Sequence, residues 1–136
     1  MAQLTKNFHL DEFLYSPFFD TESQAKVIQI YNYTPSVQQN IQKLANQLQI
    51  LRDRLNRPIK INIAFRPVFW EHKQGRSGNS QHVYGKAADI VVKNMPPQQV
   101  FKEIESLINR GDMLQGGLSA YQNFTHYDIR KTKARW

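Results

Sequence analysis

Six apolar residues, Val37, Ile41, Leu44, Leu48, Leu51 and Leu55, recur at spacings of four and three. On a 3.6-residue period they form one unbroken stripe along a helix of about 20 residues. A stripe of that length must be buried against a surface of similar size, so it commits the chain to a substantial core. Thr34 and Pro35 mark the helix start, as N-cap and first helical residue, and Asn56-Arg57-Pro58 ends it. The Gln-rich opposite face is solvated surface.

The remaining segments supply what this helix packs on. Ile59 to Phe65 alternates like a half-buried strand and stops at Arg66-Pro67. Val68 to Asn79 is polar and glycine-containing, which predicts a loop. Ala87 to Val92 is apolar and β-branched enough for a strand buried on both faces. Pro96 to Asn109 predicts a second helix, with Val100, Ile104 and Leu107 inward and Gly111 near its end. Leu118 to Tyr121 and Phe124 to Arg130 read as a terminal strand pair. Phe8 to Leu14 predicts a short amphipathic turn or helix packed as an N-terminal lid. Residues 16–33 combine Pro17 with Phe18, Phe19, Tyr31 and Tyr33 and give no clear assignment. The expected fold is α+β, an antiparallel sheet flanked by helices, in a single domain over residues 1–136.

The chain has no cysteine, which removes disulfides, thiolate ligands and a cysteine nucleophile together. Any metal must therefore be held by His and carboxylate. A formal net charge of +7 favours anionic partners such as a cell-wall polymer, a membrane surface or nucleic acid. The basic residues are spread out, apart from the tail Arg130-Lys131-Thr132-Lys133-Ala134-Arg135, and no nucleic-acid module is recognisable, so nucleic acid is not an expected partner. No stretch approaches the roughly 20 apolar residues that span a bilayer, and the N-terminus lacks a basic start followed by an apolar run. A product made in the cytoplasm, with no membrane insertion and acting as a monomer, is expected.

Chemistry concentrates in Ser80-Gln81-His82-Val83-Tyr84-Gly85-Lys86-Ala87-Ala88-Asp89 and in Phe124-Thr125-His126-Tyr127-Asp128-Ile129-Arg130. If 87–92 and 124–130 are neighbouring strands, Asp89 and His126 converge, and Gly85 permits the turn that brings His82 back over them. Ala87 and Ala88 keep bulk away. Two histidines and one carboxylate leave the fourth position of a tetrahedral zinc open, the arrangement of a hydrolytic rather than a structural site. Taken singly, each residue has a plainer role as a surface histidine or a turn acceptor.

Taken together, the S-x-H-x-x-G-x-A-x-D pattern with a second distant histidine resembles the M15 metallopeptidases, the zinc D-Ala-D-Ala carboxypeptidase group with a hedgehog-like α+β fold. Phe8 to Phe13 is similar to that family's opening. Ile63-Ala64-Phe65-Arg66-Pro67 is similar to its S-G-Y-R-S segment, and Gly116 to Trp136 to its ending. The resemblance implies Zn2+ bound by His82, Asp89 and His126, with Arg66 gripping substrate or stabilising developing negative charge. It also implies hydrolysis of D-amino-acid-containing stem peptides or cross-links of bacterial peptidoglycan. With no signal peptide, a phage endolysin or virion-associated peptidase reaching the wall after lysis or particle delivery is expected.

One departure stands out. The positions where many family members carry a general base hold Asn123 and Phe124, neither of which can take a proton from water. Asp128, two residues after His126, shares its strand face at ~6–7 Å along the strand. It is expected to serve as base or as the carboxylate orienting a ligand histidine; a salt bridge to Arg130 is the simpler alternative. The missing base leaves open a second reading, a catalytically weak or inactive zinc-containing module of a phage particle.

Overall fold

The computed structural model describes residues 2–136. The chain runs α1 (Asp11–Leu14), α2 (Thr21–Asn32), α3 (Pro35–Leu55), β1 (Ile59–Ile63), α4 (Val68–Lys73), a 3-10 turn (Gln81–Tyr84), β2 (Ala87–Val92), α5 (Pro97–Asn109), β3 (Gly117–Ala120), β4 (Thr125–Asp128) and β5 (Ala134–Arg135). The five strands form one sheet in the order β1-β2-β4-β3-β5. Pairing is antiparallel from β1 through β3. The α+β expectation holds, with one correction to the sheet: β5 joins β3 in parallel, through Gly117↔Ala134 and Leu118↔Arg135.

Strand alternation divides the sheet into two unlike faces. Ala88, Ile90 and Val92 of β2, Leu118 of β3 and Tyr127 of β4 join the core with Ile41, Leu44, Leu48 and Leu51 of α3 and Val100, Ile104 and Leu107 of α5. The long stripe is thus buried as expected, except that Leu55 is only partly covered. α3 begins at Pro35, but Thr34 makes no side-chain cap; its hydroxyl donates to the Ile30 carbonyl at 2.6 Å. Asn56, in the left-handed conformation at φ 52°, terminates the helix.

Three segments differ from the sequence-based expectation. Residues 16–33 contain α2, whose N-cap Asp20 accepts from the Ser23 N–H at 2.7 Å. The Asp20 carboxyl is held down to about 2 by that bond and by Lys73. Only Ser23 and Val27 of α2 are buried, so its apolar face is too thin to announce itself. The segment read as a loop from Val68 opens with α4, anchored by Trp70 edge-on to Phe19 at 5.0 Å. The N-terminal segment is core rather than lid: Phe8, Phe13 and Leu14 are buried, and the Phe65 N–H donates to the Phe13 carbonyl at 3.0 Å. Among the described residues, no helix is long and apolar enough to cross a membrane.

Candidate metal centre

The face of the sheet turned away from the helical core presents Asp89 from β2 and His126 and Asp128 from β4. Asp89 and His126 are direct cross-strand partners, and Ala87 stands opposite Asp128. The antiparallel register alone therefore sets the first carboxylate beside the second histidine. His82 arrives from the 3-10 turn, which Ser80 caps by accepting from the His82 N–H at 3.2 Å. Gly85 ends that turn in the left-handed region at φ 73°, and a Cβ there would press on Val37 and Ile41 of α3. The glycine is required twice, for its conformation and for the space.

Asp89 Oδ1 lies 3.3 Å from His82 Nε2 and 3.1 Å from His126 Nδ1. One donor atom from each residue lies within 4.8 Å of the other two, and all three residues are buried. The remaining ring nitrogens are occupied. His82 Nδ1–H donates to the Ala64 carbonyl at 2.7 Å, and His126 Nε2–H donates to Asp128 Oδ2 at 2.8 Å. In the neutral rings this fixes both tautomers, so the free lone pairs of His82 Nε2 and His126 Nδ1 point at the Asp89 carboxylate. Two imidazole lone pairs converging on a carboxylate oxygen form a donor set that could hold a metal ion.

The electrostatics separate the two histidines. Burial lowers the His82 pKa, and the hydrogen bond to Asp89 only partly offsets it. Burial also opposes charge on His126, but hydrogen bonds to Asp128 and Asp89 outweigh it and raise its pKa above the ordinary value. Asp89 is pushed up by burial, yet the two histidines hold it well below the usual carboxylate range.

Asp128 is fully buried behind His126. Its Oδ1 accepts from the Gly117 N–H at 2.9 Å and from Arg130 Nε at 2.9 Å, while Oδ2 accepts from Arg130 Nη2 at 2.7 Å and from His126. Burial raises its pKa, but His126, Arg130 and Gly117 together depress it below the usual range. The carboxylate thus holds the His126 ring on one side and Gly117 and Arg130 on the other. The salt bridge to Arg130 is present as well, so orientation and ion pairing coexist in one side chain. Trp136 covers the outer side, its ring 5.0 Å from that of His126 and stacked under Arg130 at 5.3 Å.

Beside the centre opens a cleft of about 500 Å³, lined by Asp89, Arg66, Arg76, Phe18, Trp70 and Phe124 among others. The Arg66 backbone N–H donates to the His82 carbonyl at 3.1 Å, tying the end of β1 to the histidine turn. Its guanidinium reaches Ser80 Oγ at 3.4 Å and Glu71 at 3.5 Å, and Nε is buried without a partner. Burial lowers the Arg66 pKa, against the pull of Glu71 and Asp89. Among the described lining residues Asp89 is the one carboxylate; Phe124 lines the wall, and Asn123 is exposed. His9 and His72 lie outside the cluster. Trp70, Glu71 and Arg76 were not legible as site residues, because they sit in the segment whose polar composition predicts only a loop.

No curated protein matches the chain. The Peptidase M15 family profile matches residues 12–128, a span that holds Arg66, His82, Asp89, His126 and Asp128 together. With most of its length in that match, and a His-Asp-His cluster at the edge of its cleft, the chain belongs to the M15 family of peptidases.

Proposed function

We propose that this peptidase is zinc-dependent and cuts D-amino-acid-containing stem peptides or cross-links of bacterial peptidoglycan, as a phage endolysin or virion-associated enzyme acting on the wall after lysis or particle delivery. The observation that carries the zinc assignment is the convergence of His82 Nε2, His126 Nδ1 and Asp89 Oδ1, with each imidazole fixed from behind. Held by His82, Asp89 and His126, zinc would supply the acidity of a water molecule and the polarisation of a carbonyl. The protein's part is to keep the ligands in position and to receive charge. Asp128 holds His126 in the tautomer that leaves Nδ1 free. Arg66, with donors unfilled at the cleft wall, binds the oxygen on which negative charge develops. Phe124 and Trp70 give that part of the cleft an apolar wall. The basic surface holds the enzyme on an anionic wall as a monomer.

A second reading, a zinc-containing wall-binding module with little turnover, is favoured by Asp89 being the one carboxylate among the described residues that line the cleft. Digestion of purified peptidoglycan, followed by mass spectrometry of released fragments, separates the two. The enzyme reading expects cleavage that a chelator stops and added zinc restores; intact wall under all three conditions would leave only the binding module. Arg66→Lys is expected to lower turnover by about 10²–10³-fold, the cost of removing an oxyanion donor, with zinc content unchanged. Unimpaired hydrolysis by Arg66→Ala would reduce the arginine to a surface residue.

Zinc binding must also displace the proton that Asp89 and Asp128 help His126 to hold. For the metal-free chain, the raised His126 pKa contributes stability that is full below the ordinary value near 6.5 and is lost as pH rises through the folded pKa. The increase in melting temperature on adding zinc is therefore expected to be larger at about pH 8 than at about pH 6. Equal increases at both would remove His126 from the ligand set.

A further inference from the structure

Glu71 is a buried carboxylate on α4 beside the cleft, and it faces two arginines rather than one. Its Oε2 accepts from Arg76 Nε at 2.7 Å, and its Oε1 lies 3.5 Å from Arg66 Nη2 with no hydrogen bond of its own. The Arg76 backbone N–H also donates to the Glu71 carbonyl at 2.8 Å, so Arg76 is fixed through both main chain and side chain. Arg76 is about half exposed and lines the cleft with Arg66, Gln74 and Asp89. Its two terminal nitrogens have no hydrogen-bond partner among the described residues.

One carboxylate between two guanidiniums leaves these three groups with one net positive charge. A fixed guanidinium with its planar fork free matches a carboxylate in charge and in shape. The surrounding wall of Phe18, Trp70 and Phe124 suits a peptide rather than a multiply charged polyphosphate. The geometry points to Arg76 as a specificity determinant that recognises a free carboxylate on the peptide substrate, with Glu71 as the residue that positions it. This rests on the peptidase reading above and narrows its substrate class to anionic peptides. The carboxylate is either the C-terminus of the stem or a glutamyl side chain within it.

The test uses two pairs of N-acetylated stem-type peptides. One pair differs by a free or amidated C-terminus, the other by an internal glutamate or glutamine. Binding to the metal-stripped full chain is measured by calorimetry, and kcat and KM are measured on the zinc-loaded enzyme. In one of the two pairs the acid is expected to bind about 10–100-fold more tightly than its neutral counterpart, as for a charge-assisted hydrogen bond. The pair that discriminates identifies the source of the carboxylate. Arg76→Gln abolishes the preference and Arg76→Lys retains part of it, with the change in KM rather than kcat. No acid preference in the wild type, or an undiminished one in Arg76→Gln, overturns the assignment. If no peptide is hydrolysed while the binding preference depends on Arg76, the recognition role stands and the hydrolytic reading falls. The charge-keeping Lys variant guards against misfolding as the cause.

Discussion

His126→Ala and His82→Ala are expected to lose zinc and, with it, hydrolysis. Each histidine supplies one of two nitrogen donors to a set of three, so the loss in affinity should exceed the roughly 10–100-fold cost of removing an outer hydrogen-bond partner. His126→Ala carries an added penalty. With both nitrogens protonated the ring bonds Asp89 on one side and Asp128 on the other, and its removal then strips a partner from two buried carboxylates. The metal-free variant should lose about 1–3 kcal/mol for each poorly compensated group, whereas His82→Ala strips only one. His9→Ala and His72→Ala serve as controls and should bind as the wild type does. Metal analysis after dialysis reads all four, and a full zinc complement in either ligand variant would end the metal assignment.

Asp128→Asn separates the two roles the residue was expected to fill. It keeps shape and can still accept from the Gly117 and Arg130 N–H groups, but it loses the charge that faces His126 and the Arg130 guanidinium. Acting as an orienter, it should cost about 10–100-fold in zinc affinity, with most turnover recovered at saturating zinc. Acting as a base, it would cost ~10²–10⁴-fold in turnover at full zinc occupancy. Gly117→Ala offers an independent check. A Cβ at position 117 collides with Asp128 Oδ2 and with Arg130 Nη2, so it displaces the carboxylate without touching its chemistry. The same fall in zinc affinity in both variants is the expected result. Wild-type affinity in Gly117→Ala would show that the carboxylate's position does not matter.

The parts of the fold visible in the sequence were those whose burial is periodic. α3 and α5 each bury one clean stripe, and β2 is apolar because both its faces are covered. The pairing of Asp89 with His126 followed from placing two short strands side by side. α2 and α4 were not visible because their stability is tertiary: α2 buries two residues, and α4 is six residues long and leans on the contact between Trp70 and Phe19. The two-residue β5 depends on Arg135, which binds Glu105 of α5 at 2.7 Å and the Gly116 carbonyl at 2.6 Å. Strand alternation put Asp128 on the face of His126, but the choice between base and orienter lay in Gly117 and Arg130. No local pattern encodes the link between Glu71, Arg66 and Arg76, because it joins the end of one strand to a helix and the loop beyond it.

The register of β2 against β4 has a further consequence for a chain without cysteine. Asp89 and His126 face each other across two central strands, and His82 is bonded to the carbonyl of Ala64 just past a third. An ion gripped by these side chains would fasten β2, β4 and the exit of β1 at one point, as a disulfide does in secreted domains of this size. A slip of one residue between β2 and β4 would swing His126 into the core and undo the fastening. Loading with metal would then act as a proofreading step for strand alignment, favouring the chains whose central strands have paired correctly.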